Sequence, residues 1–147
     1  MSTEIETKPS KAFWVVGIIF VLWNLFGCAM YLFDATATDE TLRAMENGEA
    51  WIAAKAVYPM WAQAAYAIAV WGGLLAAILL LLKKKLAVPL FVVSLIAAII
   101  CFIPNFTMAE MKAMDPDTYW LMPIIVVLLG IFEIWWSKKQ RAAGVLR

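Results

Sequence analysis

The chain has 147 residues, 65% of them hydrophobic and 16% charged, whereas a soluble domain is closer to half apolar and a quarter charged. A net charge of +1 gives no global argument for nucleic acid or an acidic partner. There is no histidine, and the two cysteines, Cys28 and Cys101, lack CxxC spacing. These absences argue against histidine-ligated haem, most zinc and non-haem iron sites, His-based triads and thiol-redox chemistry.

The apolar residues gather into four runs, each close to the roughly 20 residues that a helix needs to cross the hydrocarbon. After a polar start, Met1 to Lys11, expected to fray, the first span is predicted at about residues 12–33. Lys8 and Lys11 before it, and Ala35-Thr36-Ala37 after it, have the look of a secretory signal. The run is longer than the roughly 7–15 residues of a signal core, so it reads as a retained helix.

Residues 34–58 form the one sizeable polar segment. Thr38 suits an N-cap, and Asp39 and Glu40 suit the positive end of the helix dipole. Leu42, Met45 and Ile52, with Trp51 alongside, share one face, and Gly48 is expected to interrupt or bend the helix. The segment reads as a short amphipathic helix lying against the membrane surface.

The second span, about residues 59–82, opens on Pro59, which loses no helical hydrogen bond in a first turn. Lys83-Lys84-Lys85 is almost the whole connection to the third span, about residues 86–106, so the two must form an antiparallel hairpin. A short polar loop, Asn105 to Asp117, leads to the fourth span at about residues 118–136 and a basic tail, Ser137 to Arg147.

The flanking segments alternate between basic (Lys8 and Lys11, Lys83–Lys85, then Lys138, Lys139 and Arg141) and acidic. Basic segments mark the cytoplasmic side, and all three agree only if the spans are even in number. Aromatics fall where interfaces are expected: Phe13, Trp14, Trp135 and Trp136 inside, and Tyr31, Tyr58, Trp61, Tyr119 and Trp120 outside. The expected fold is all-α, a single membrane domain over residues 1–147. It is a four-helix transmembrane bundle with a short amphipathic external helix between spans 1 and 2, and both termini cytoplasmic.

Leu22-Trp23-Asn24 with Gly27 and Tyr31, Pro59-Met60-Trp61-Ala62, and Ala69-Val70-Trp71-Gly72-Gly73 form a recurring pattern. Leu79 to Lys85, Leu86-Ala87-Val88-Pro89, Ser94-Leu95 and Gly144-Val145-Leu146 continue it. Together they resemble a family of small four-span membrane proteins of bacteria that often carry a sugar-transporter label. The resemblance covers the whole chain, more weakly in the loops and last span. It implies a bacterial cytoplasmic membrane and supplies no catalytic residue.

Glu133 is the one acidic residue inside a span, about 5 Å from the inner boundary if that boundary lies at Trp136. A salt bridge to Lys11, Lys83 or a tail lysine is the leading expectation, with proton or substrate coupling behind it. Asn24 lies roughly 18 Å from the inner end of its span, as interhelical glue or a binding group. The two differ in depth by roughly 13 Å, too far to pair directly.

Gln63 and Tyr66 share a face near the outer end of the second span. With Asn105 and Tyr31 they line a small outward-opening cavity on one reading, and supply ordinary interfacial polarity on the other. Asn24, Gln63, Tyr66 and Glu133 are therefore the candidate binding residues. Gly72-Gly73 is read as a helix-packing face, the cysteines as unpaired buried thiols, and Met108, Met111 and Met114 as filler rather than a Cu(I) site.

No catalytic residue, metal or cofactor is expected. An accessory or interaction subunit of a membrane assembly leads, and a small-molecule, sugar-like transporter acting as an oligomer follows. A lipid- or quinone-handling enzyme and a sensor using residues 34–58 come behind them. The expected partners are the bilayer and either another membrane protein or further copies of the chain, with no nucleic acid.

Overall fold

Four stretches of the chain form helices long and apolar enough to cross a membrane, the make-up of a multi-pass membrane protein. The computed structural model describes residues 7–147, so most of the segment expected to fray lies outside the described residues. The order is α1 (Lys11–Thr36), α2 (Asp39–Arg43), α3 (Gly48–Val57), α4 (Met60–Leu81), α5 (Ala87–Cys101), α6 (Ile103–Thr107), α7 (Ala109–Met114) and α8 (Leu121–Ala142). No strand occurs among the described residues.

Ser10 caps α1, its hydroxyl accepting the Phe13 N–H at 3.1 Å. Helix α4 turns a ladder of small residues inward: Ala62, Ala65, Ala69, Gly73 and Ala76, at spacings of three and four. Small side chains let helix backbones approach, which is how apolar helices associate where there is no water to expel. Accordingly α4 packs along both α1 and α5, and α5 carries α8 on its other side. Ile18, Leu22, Leu75, Ile96 and Leu128 point outward and are half or more exposed. An apolar outer face of this kind suits hydrocarbon.

At the end that carries Lys83–Lys85, the core is built from larger side chains, including Phe13, Phe20, Leu80, Phe91, Val145 and Leu146. Phe13, expected at an interface, is fully buried here. The basic tail is also not a free tail. Helix α8 continues through Gln140, Gly144 turns the chain with φ 77°, and Val145 and Leu146 insert into the core. Backbone bonds fasten the strap: Lys85 N–H donates to the Arg147 carbonyl at 2.8 Å, and Arg147 N–H to the Lys83 carbonyl at 2.7 Å.

The opposite end carries the short helices. Residues 34–58 hold two helices rather than one, because Asn47 adopts a left-handed conformation (φ 58°) and the chain doubles back at Gly48. A side chain at Gly48 would collide with the Leu42 carbonyl. Helix α3 then packs on α2 and α7. Helix α7 occupies part of the segment expected to be a loop, and its Met111 is buried beside Leu42 and Ala54 as the roof of the molecule.

Candidate functional site

The deepest polar contact joins α1 to α8. Asn24 Nδ2 donates to Glu133 Oε1 at 2.6 Å and to the Phe20 carbonyl at 2.9 Å, which uses both amide hydrogens. Both residues are buried, Asn24 at 7% exposure and Glu133 at 5%. Just beneath, the Phe20 and Phe132 rings meet edge to face at 5.6 Å.

This contact corrects the expectation that Asn24 and Glu133 are too far apart to pair. The depth count took the last helix to end at Trp136. The helix runs six residues further, to Ala142, with Ser137 and Gln140 buried, so Glu133 sits near its middle. The partner of Glu133 is Asn24 and not a lysine.

Gly73 makes room for the pair. A Cβ there would collide with Asn24 Oδ1 and come within 2.9 Å of Ser94 Oγ, while a Cβ on Gly72 would meet nothing. Close packing therefore rests on Gly73 alone of the two. The Ser94 hydroxyl donates to the Ala69 carbonyl at 2.6 Å, which ties α5 to α4 at the same level.

From this floor a cavity of about 530 Å³ extends to the roof made by α2, α3 and α7. Its walls are mainly apolar, among them Gly27, Val70, Leu95 and Val126. Toward the roof stand Gln63, Tyr66, Tyr31 and Asn105, so the four residues weighed as a cavity lining do border one space, and that space also reaches Asn24 and Glu133. Tyr31 and Tyr66 pack edge to face at 5.2 Å.

Three residues near the roof, Asp34, Lys55 and Tyr58, were not among the candidate binding residues. Asp34 lies against the Tyr66 hydroxyl and within electrostatic reach of Lys55. The Lys55 ammonium also donates to the Ala37 carbonyl at 2.5 Å. The Tyr58 hydroxyl donates to the Cys101 carbonyl at 3.1 Å, and burial pushes its pKa above the ordinary phenol range, so it stays a donor. Asp34 follows the apolar run of the first span directly, and that placement was the available signal. Lys55 gave none, and Tyr58 gave only its place among the outer-interface aromatics.

Cys28 and Cys101 are both free and buried. Among the described residues no group of three or more His, Cys, Asp or Glu side chains is arranged to hold a metal ion. Comparisons with protein-family models, with curated proteins and with solved structures found no match.

Proposed function

We propose that the chain is a multi-pass protein of a bacterial cytoplasmic membrane that binds a small molecule inside its helix bundle and carries it across as an oligomer. The observation that supports this most is the single space of about 530 Å³ joining the Asn24–Glu133 pair to the roof. Its size is that of ordinary small-molecule sites, and such sites combine apolar walls with a few convergent polar groups.

A subunit that only packs against a larger assembly needs no such space. Unfilled volume weakens a bundle, and buried polar groups in a membrane helix are costly unless they have work to do. The accessory-subunit reading therefore takes second place to transport.

Basic flanks on the cytoplasmic side put Lys83–Lys85 and the Val145–Leu146 strap inside, and the α2–α3–α7 roof outside. The molecule then enters under the roof, with the strap sealing the far end. Four helices enclose too thin a path for passage by one copy, so a homo-oligomer is part of the proposal.

The test is extraction of the tagged protein into nanodiscs, followed by native mass spectrometry. A homo-oligomer carrying a small-molecule adduct, with lower occupancy in Glu133→Gln, is the expected result. A fixed-ratio complex with another protein, and no adduct, would restore the accessory-subunit reading.

A further inference from the structure

We propose that the molecule taken into this cavity is an amphipathic amine: a protonated nitrogen that carries hydrogens, attached to an apolar body. This rests on the reading of the cavity as a small-molecule site and adds what that site selects.

The hydrogen-bond inventory at the floor gives the first reason. Asn24 has spent both amide hydrogens, on Glu133 Oε1 and on the Phe20 carbonyl. Ser94 has spent its one hydrogen on the Ala69 carbonyl. Asn24 Oδ1 and Glu133 Oε2 receive no hydrogen bond from any described residue, yet neither is sealed away from the cavity that both side chains line. With Glu133 ionised the floor offers acceptors and no donor, and a ligand seated there brings hydrogens of its own.

Charge gives the second. The lining holds three carboxyl groups, Asp34, Asp115 and Glu133, against one basic side chain, Lys55. Lys55 donates at the roof to the Ala37 carbonyl and lies within electrostatic reach of Asp34. Among the described residues no cation pairs with Glu133, whose one polar partner is the neutral Asn24 amide. A carboxylate held amid apolar walls is stabilised by a cation brought to it far more than by a neutral hydroxyl.

The walls give the third. Between floor and roof the lining is mostly aliphatic and aromatic, with Tyr31 and Tyr66 set edge to face. A sugar would place hydroxyls against these surfaces on every side. An amine with an apolar body places its polar end on Glu133 and its remainder on the walls, where aromatic faces also favour a nearby cation.

The experiment uses the full-length protein in zwitterionic nanodiscs, with empty nanodiscs as the blank, and reads binding by calorimetry. The probes are 4-phenylbutylamine, 4-phenylbutanol and 4-phenylbutyrate, which share one body, together with methyl glucoside. The amine is expected to bind at least about tenfold more tightly than the alcohol, the scale of one charge-assisted hydrogen bond. Glu133→Gln, which keeps an oxygen for Asn24, should abolish that preference, and Glu133→Asp should retain it.

An alcohol that matches the amine in the wild-type protein overturns the proposal, whatever the variants do. So does a preference that survives in Glu133→Gln. Tight binding of the butyrate or the glucoside, weakened by Glu133→Gln, removes the amine but keeps the cavity as a small-molecule site. Binding by no probe also removes the amine, and the native mass spectrum then decides whether the cavity reading falls with it.

Discussion

Asn24 and Glu133 are 109 positions apart in the chain, and 2.6 Å separates the Asn24 amide nitrogen from the Glu133 carboxyl oxygen in the middle of the bundle. The contact bridges the first and last long helices, which also meet through the Phe20 and Phe132 rings. It closes the circuit that runs from α1 to α4, α5 and α8, and forms the floor of the cavity.

If the pair holds the circuit closed, removing one partner must leave the other stranded. Asn24→Ala is expected to cost about 1–2 kcal/mol, the upper range for interhelical polar contacts in membranes. Glu133→Ala should cost less in the Asn24→Ala background than in the wild type, because the contact is already gone. Thermal unfolding of the four proteins in one detergent measures the cycle, and additive losses would show that the two residues act separately.

Neighbouring glycines are expected to respond oppositely to the same change. Gly72→Ala meets open space and gains helix propensity, so stability should hold or rise by up to about 1 kcal/mol. Gly73→Ala drives a methyl group into Asn24 and against Ser94, and should cost about 1–3 kcal/mol as an overpacked site. Unfolding midpoints of the two variants check this directly. Equal behaviour would place Asn24 elsewhere.

At the lysine end, Leu146 is 2% exposed and packs with Phe13, Leu80 and Phe91 in one core cluster. Leu146→Ala is expected to cost about 2–4 kcal/mol, as for a buried leucine anywhere in a well-packed core. Lys138→Ala, on the exposed side of α8, should change stability by under about 0.5 kcal/mol. Detergent lifetimes at raised temperature compare the two, and a tolerant Leu146 would mean that the strap does not dock.

The long helices were legible because a run of some twenty apolar residues has few other physical uses. The Lys83–Lys85 hairpin was legible for a related reason: three residues leave the chain no room for any other path. The end of the last helix was not, and that hid the site. Trp135 and Trp136 have the composition of an interfacial belt, yet Lys139 folds back over both rings, at 5.1 and 5.9 Å. The helix carries on beneath them, so counting from the indoles placed Glu133 near the helix end rather than near its middle.

The roof was illegible for a different reason. Leu42, Ala54 and Met111 come from three short helices whose burial depends on one another, and no single segment carries that information. The methionine spacing 108, 111, 114 was a helical one, but it read as filler without the surface that Met111 covers. Gly73 acquires its meaning only from Asn24 and Ser94, which α1 and α5 bring against it.

Thiol accessibility decides whether a cavity open to the roof side reaches the Asn24–Glu133 floor. In a Cys28→Ser, Cys101→Ser background, Ser94→Cys lines the cavity, while Ile96→Cys points outward at 54% exposure. A membrane-impermeant, positively charged methanethiosulfonate added from the roof side of oriented vesicles should modify Ser94→Cys and leave Ile96→Cys unreacted in the lipid. If Ser94→Cys is as inert as Ile96→Cys, the floor is sealed from that side and no path from the roof reaches the Asn24–Glu133 pair.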